Sequence, residues 1–389
     1  MEITDTPTGR TISPFSREIY VMAKPVGASC NLNCEYCYYL EKAHAEGPYS
    51  HVGQMDDKLL EKYVRQYIQS QTSSEVLFIW HGGEPMLRGI DFYRKALEFQ
   101  RIYAGGKRIY NSLQTNGTLI DESWCQFLRE NGFLLGVSID GPAHIHDYFR
   151  KSRTNESTFS RILRGTELLN KYGIEWNAMA TVNSKNVTRP VEIYDFFKQM
   201  GCHYIQFTPV VEFLKHCREG QYGQVTDFSV NAEQWGSFLC DIFDCWWPGD
   251  VGRQFIQIFD ATLANWMGLP PVVCTMAREC GHAGAIEYNG DVYSCDHFVF
   301  PEYRLGNISE KSLVEMMYSP EQLQFGQSKY TSLSEKCREC KYLFLCNGEC
   351  PKNRQNGLNY LCEGYKCFFE HSAPAMIKMK DAILRGKIV

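Results

Sequence analysis

The sequence has no apolar run that could cross a bilayer, which would take about 18 consecutive residues. It has no internal repeat and no low-complexity segment, so repeat arrays and disordered tracts are set aside. Neither sign of charge is in excess: 40 Lys and Arg stand against 45 Asp and Glu, a formal charge of −5. So mild a balance argues against nucleic acid or a membrane surface as a main partner. Met1 to Glu18 is polar, carries Pro7 and Pro14, and lacks the apolar stretch of a signal peptide. The expectation is a cytoplasmic protein. Hydrophobic content of 44% and charged content of 22% are globular values, and 389 residues suffice for a large domain plus a smaller one.

What the chain has in quantity is cysteine, 17 residues of it. In the reducing compartment expected here a disulfide framework is excluded, and clustered cysteines point to metal. Cys30, Cys34 and Cys37 form one group, and nine more fall between positions 274 and 367. Cys125, Cys202, Cys217, Cys240 and Cys245 are scattered and read as small buried hydrophobes.

Short runs rich in β-branched and aromatic residues predict strands at Glu18–Ala23, Val76–Trp80, Lys107–Gln114, Phe133–Asp140, Glu175–Val182 and His203–Pro209. Amphipathic stretches between them predict helices at Asp56–Gln71, Gly89–Tyr103, Asp121–Asn131, Ser157–Tyr172 and Thr188–Met200. This alternation implies parallel βαβ units. Six strands are too few for the eightfold barrel, so the fold class expected is α/β with an open, partial (β/α)6 TIM-like barrel. Chemistry in such folds gathers at the C-terminal ends of the strands. Leu214–Asp227 reads as a loop, after which regular periodicity gives way to cysteine and glycine. The division expected is 15–235 for the barrel and 236–389 for a cysteine-rich domain ending in a helix.

Cys30-Asn-Leu-Asn-Cys34-Glu-Tyr-Cys37 follows the first strand. Three close thiolates with no near fourth can hold three irons of a four-iron cluster and leave one iron open. A partial zinc site completed by a distant residue would also fit. At the second strand's end stands Trp80-His81-Gly82-Gly83-Glu84-Pro85, whose glycines permit close backbone approach beside a carboxylate. Gln114-Thr115-Asn116-Gly117 and Ser138-Ile139-Asp140-Gly141-Pro142 end the third and fourth strands. Eight C-terminal cysteines, Cys274, Cys280, Cys295, Cys337, Cys340, Cys346, Cys350 and Cys362, could fill two complete four-cysteine sites, of zinc or of iron and sulfide.

Together these motifs resemble the radical S-adenosylmethionine (SAM) superfamily with a C-terminal SPASM domain. The resemblance implies SAM and three [4Fe–4S] clusters as cofactors. It implies Tyr36 at the adenine, Gly82, Gly83 and Glu84 at the SAM amino group, and Ser138 and Arg150 at ribose and carboxylate, with Ile205 as a further adenine contact. It assigns Cys274, Cys280, Cys295 and Cys350 to one auxiliary cluster and Cys337, Cys340, Cys346 and Cys362 to the other. Cys367 competes with Cys362, and Leu358-Asn-Tyr-Leu-Cys362-Glu-Gly-Tyr-Lys matches the closing segment of the domain.

Met22-Ala23-Lys24-Pro25, the run Cys37–Lys42 (Cys-Tyr-Tyr-Leu-Glu-Lys) and Tyr293-Ser294-Cys295-Asp296-His297-Phe298 narrow the resemblance to anaerobic sulfatase-maturating enzymes. These oxidise a Cys or Ser of a sulfatase to Cα-formylglycine. The substrate implied is a sulfatase polypeptide with a Cys/Ser-x-Pro-x-Arg motif, and the electron donor a flavodoxin or ferredoxin. Asp296 matches the family's base, which needs to reach the substrate heteroatom. As a bare carboxylate it could equally be a turn residue, and His297 reads as a packed side chain. Two rivals stand beside this reading: a peptide-modifying relative that forms thioether crosslinks, and a non-enzymatic zinc or iron–sulfur protein. The loops ending strands two to four argue against the carrier, which needs no SAM pocket.

Overall fold

A computed structural model describes residues 18–44, 51–214 and 224–386. All six expected strands form: β1 (Tyr20–Ala23), β2 (Glu75–Trp80), β3 (Arg108–Thr115), β4 (Leu134–Ser138), β5 (Trp176–Val182) and β6 (Tyr204–Pro209). They pair side by side, every pair parallel. The sheet is larger than expected. A two-residue β7 (Phe255–Ile256) pairs parallel to β6, and β8 (Ala283–Ile286), from the cysteine-rich segment, pairs parallel to β1. β9 (Asp291–Tyr293) and β10 (Arg304–Asn307) continue antiparallel, giving ten strands in the order β10-β9-β8-β1-β2-β3-β4-β5-β6-β7. The barrel stays open, and the C-terminal segment is part of its wall.

The first helix, α1 (Leu40–His44), follows the three-cysteine loop directly. The crossover helices α2 (Asp57–Ser70), α3 (Ile90–Tyr103), α4 (Glu122–Glu130), α5 (Ala143–Phe149), α6 (Phe159–Lys171) and α7 (Pro190–Gln199) follow in order. Local chemistry starts them: the Asp56 and Asp121 carboxylates accept the backbone N–H of Leu59 and Trp124, each at 2.8 Å, and Pro190 opens α7. One face of each strand meets these helices. Trp80 packs edge-on against Tyr93 at 5.6 Å and Tyr63 at 6.0 Å, inside an aromatic layer that excludes water from β2.

α8 (Ala232–Trp246) begins with a capping box of Asn231 and Gln234, and α9 (Gln257–Trp266) follows β7. Beyond β10 come α10 (Leu313–Met317), α11 (Pro320–Thr331), α12 (Glu335–Arg338), α13 (Leu343–Cys346) and a small hairpin of β11 (Arg354–Gln355) and β12 (Leu358–Asn359). The chain closes with the 23-residue α14 (Cys362–Leu384), laid along α8. No helix among the described residues is long and apolar enough to cross a membrane. Cys125 and Cys202 are buried as expected, Cys240 and Cys245 half-buried, and Cys217 lies outside the described residues. Of the expected loop Leu214–Asp227, positions 215–223 also lie outside them.

Candidate active site and cluster-ligand sites

Because β1 to β8 run parallel, their C-terminal ends share one rim, and the motifs read from the sequence assemble there. The three-cysteine loop leaves β1 and folds back on itself, with Cys37 N–H donating to the Cys34 carbonyl at 3.0 Å. The three sulfurs are near enough for each charge to act on the others, and burial pushes Cys30 up to about 11 and Cys34 up to about 12. Buried neutral thiols become thiolates when a metal supplies the positive charge. Among the described residues no three His, Cys, Asp or Glu converge on a single ion.

Gly82 and Gly83 make the close approach their type allows, and it is to the protein itself. Gly83 N–H donates to Gly27 O at 2.7 Å and Glu84 N–H to Ser29 O at 2.8 Å, while a Cβ on Gly83 would overlap the Ser29 carbonyl. The Glu84 carboxylate is wholly buried and accepts Met86 N–H (2.9 Å), Thr115 Oγ1 (2.8 Å) and Asn116 N–H (2.7 Å). Burial pushes it up to about 7 against those bonds. Glu84 is therefore a brace tying the loops after β2 and β3, a role not foreseen from the sequence. Asn116 extends that brace to the cysteines: its amide donates to Asn31 Oδ1 at 2.8 Å and approaches Cys30 Sγ at 3.7 Å.

Asp140, just past β4, joins two of the expected residues. It accepts Arg150 Nε at 3.0 Å, Thr181 N–H at 3.0 Å and the Tyr36 hydroxyl. Arg150 holds its guanidinium over the Tyr36 ring at 5.5 Å, and its charge opposes the burial that raises Cys34. Ser138 accepts Gln114 Nε2 at 3.1 Å on the half-buried inner face of the sheet. Thr181 and Gln206 lie on the same face by strand alternation. Ile205 does not. It is 2% exposed and shares the parity of Phe207, which packs on Phe197 of α7 and Phe238 of α8. Ile205 thus faces the helix layer, and Gln206 is the β6 residue turned to the inner face, bonded to Gln257 at 3.2 Å.

Asp296 sits at the opposite wall of the same rim. It is ion-paired to the fully buried Lys24 at the end of β1, and Tyr38 O–H donates to it at 2.6 Å. Burial would raise its pKa, but the Lys24 charge outweighs this and holds the carboxyl well below the usual range. His81 and His297 are pushed down to about 4 by burial and stay neutral. Beside this ion pair, His297 Nδ1 and Glu287 Oε2 are buried without a hydrogen-bond partner among the described residues. Buried polar atoms are rarely left so, and two next to a buried ion pair mark a polar pocket suited to a ligand. Lys24 was legible only as part of a motif, since no local pattern says that a lysine after a strand is buried.

The C-terminal cysteines form two groups. Cys350 acts on Cys295, and Cys274 acts on Cys280, Cys295 and Cys350. Cys337, Cys340, Cys346 and Cys362 line one enclosed space together with Gly348 and Tyr365. Cys367 points to an exposed groove and against Cys240 instead. Lys352 reaches from the second region to Val211 O (3.0 Å) and Glu212 (2.6 Å), fastening it to the end of β6.

Comparison with known proteins agrees with this layout. Residues 25–207 match the Radical SAM superfamily, and residues 274–341 match a family described as an iron–sulfur cluster-binding domain. The chain is 56% identical to a serine-type anaerobic sulfatase-maturating enzyme of Bacteroides thetaiotaomicron, over 96% of this chain and 94% of that one. It is 35% identical to a cysteine-type enzyme of Clostridium perfringens, over 93% and 98%. It superposes on a solved structure described as native anSMEcpe with bound AdoMet and Cp18Cys peptide with a TM-score of 0.85 and 34% identity, covering 94% of this chain and all of that one.

Proposed function

The chain belongs to the anaerobic sulfatase-maturating enzymes, and from that membership we propose that it oxidises a Ser or Cys of a sulfatase polypeptide to Cα-formylglycine. The observation that carries the proposal is Asp296, a buried ionised carboxylate held by Lys24 and Tyr38 on the rim that also bears the three-cysteine loop. Relatives named serine-type share 56% and 38% identity with it, which supports a Ser substrate as well as a Cys one.

We assign Cys30, Cys34 and Cys37 to a SAM-binding cluster, Cys274, Cys280, Cys295 and Cys350 to a first auxiliary cluster, and Cys337, Cys340, Cys346 and Cys362 to a second. One set of three thiolates and two sets of four fit the ligand counts of three [4Fe–4S] clusters, the first with one iron open. When bound, the first cluster and SAM would supply radical hydrogen-abstracting chemistry at the substrate Cβ, and the auxiliary clusters an acceptor for the remaining electron. The chain's residues do the rest. Tyr36, with Arg150 locked to Asp140, presents a flat ring and a guanidinium to the nucleoside and carboxylate of SAM. Ser138 offers a hydroxyl to the ribose, and the backbone of the Gly82–Glu84 loop receives the amino group. Lys24 and Tyr38 orient Asp296 and keep it anionic, so that its carboxylate accepts the proton of the substrate hydroxyl or thiol. Two electrons and two protons then leave the CH2–OH group to give the aldehyde; from CH2–SH the same loss gives a thioaldehyde, which water hydrolyses to the aldehyde with release of hydrogen sulfide.

Residues 15–235 and 236–389 serve as catalytic and cluster-bearing parts, with β8 as the strand by which the second completes the first. A low-potential donor such as a flavodoxin or ferredoxin supplies the priming electron. Asp296→Asn tests the central role. Deoxyadenosine should still form while formylglycine is lost, and formylglycine at the wild-type rate would remove Asp296 from the mechanism.

A further inference from the structure

The second sphere of the first auxiliary site is made by one helix. On α11, Gln322, Gly326 and Lys329 stand at i, i+4 and i+7, so they share a face. Together they touch the segments of Cys274, Cys280 and Cys295. Gln322 is 1% exposed, and its Nε2 donates to Gly281 O at 2.8 Å and Ser294 O at 3.0 Å, next to Cys280 and Cys295. Gly326 O accepts Cys280 N–H at 3.3 Å, and a Cβ there would overlap the Cys280 carbonyl. Lys329, 0% exposed, donates from Nζ to Cys274 O at 2.6 Å and Thr275 O at 2.8 Å.

A lysine this deeply buried is costly without compensation. Two neutral carbonyls use two of its three donors and supply no countercharge. The acid in its surroundings, Glu349, offsets part of that cost, and it is itself buried and accepts Asn353 at 3.2 Å and Asn359 at 2.6 Å. The large negative charge that matches Lys329 is the group its neighbours Cys274 and Cys280 would hold. A cluster's potential follows its net charge and the fields around it, and a fixed positive charge favours the reduced, more negative state.

We propose that Lys329 is an electrostatic positioning residue for the auxiliary cluster of Cys274, Cys280, Cys295 and Cys350, fixing the Cys274 turn and raising that cluster's reduction potential so that it accepts the substrate electron. The proposal rests on the ligand assignment above. No feature of the sequence pattern singles Lys329 out: it lies in a helix with no cysteine, and only the fold brings it to the ligands.

The test is a redox titration followed by electron paramagnetic resonance, with iron and sulfide counts, on the anaerobically reconstituted full-length enzyme. Lys329→Gln keeps amide donors for the carbonyls and drops the charge, while Lys329→Arg keeps the charge. In Lys329→Gln one midpoint should move negative. The reduced-to-oxidised ratio at the wild-type midpoint should fall about tenfold, about 59 mV for one electron. Lys329→Arg should stay at the wild-type value. An unmoved midpoint in Lys329→Gln with full iron overturns the proposal. If Lys329→Gln fails to load that cluster and Lys329→Arg loads it at the wild-type midpoint, the charge is required for the cluster itself and the proposal stands. If both fail to load, Lys329 is only a packing residue and the proposal falls. Wild-type protein that binds no iron at Cys274–Cys350 would instead refute the ligand assignment, a separate failure.

Discussion

Asp140 shows how far a single residue can be read from sequence. It stands in the Ser-Ile-Asp-Gly-Pro turn, whose flanks Ser138 and Arg150 carry the resemblance to SAM enzymes, yet it is Asp140 that joins Tyr36, Arg150 and Thr181. Its partners lie 104, 10 and 41 positions away, so no local pattern reveals them. Removing it leaves the Arg150 charge buried and unpaired, which costs about 3–5 kcal/mol. Asp140→Ala should lower the urea midpoint accordingly, and a loss below about 1 kcal/mol would show that water or another anion already satisfies Arg150. Cys34→Ala should abolish SAM cleavage in a deoxyadenosine assay while both auxiliary clusters keep their iron. The cysteine groups were legible because ligand spacing is itself a sequence pattern. The face Ile205 takes was not legible because its strand alternates, and only the packing of Phe207 on α7 and α8 tells which parity faces inward.

At the scale of elements, strands and crossover helices were readable because each carries its own chemistry: β-branched runs inside, Asp caps and Pro starts outside. β8 was not, since pairing with β1 depends on 260 residues of intervening chain rather than on its own four. The loop after β2 makes a sharper test. Gly83 sits flush on the backbone of the cysteine loop, with no room for a Cβ beside Ser29 O. Gly83→Ala should displace residues 27–30 and release the N-terminal cluster, so that iron per chain falls by about a third if three equal clusters are present. Full iron with unchanged SAM cleavage would show that the loop yields at no cost.

The whole molecule carries a pH signature set by buried histidine. His146 on α5 is wholly buried; its Nδ1 accepts Asp140 N–H at 3.3 Å, and its Nε2 lies 3.2 Å from Thr158 Oγ1. Thr158 spends its own proton on Arg150 O at 2.7 Å, which assigns the hydrogen on the other side to Nε2 and leaves the ring neutral. Burial, then the Arg150 charge, holds the His146 pKa well below its ordinary value of 6.5. Below about pH 6.5 the unfolded chain binds a proton that the folded chain refuses, so stability falls as pH falls. Thermal unfolding between pH 7.5 and 5 should show that slope, shallower in His146→Gln; an equal slope in both would place the proton uptake elsewhere.

The central claim, oxidation of a sulfatase residue on a rim shared by Asp296 and the three-cysteine loop, has one direct test. The reconstituted enzyme is incubated anaerobically with SAM, a reductant and peptides carrying Ser-x-Pro-x-Arg or Cys-x-Pro-x-Arg, and both peptide and nucleoside are followed by mass spectrometry. The account predicts formylglycine in step with 5′-deoxyadenosine. Deoxyadenosine accumulating beside unchanged peptides of both kinds would contradict it.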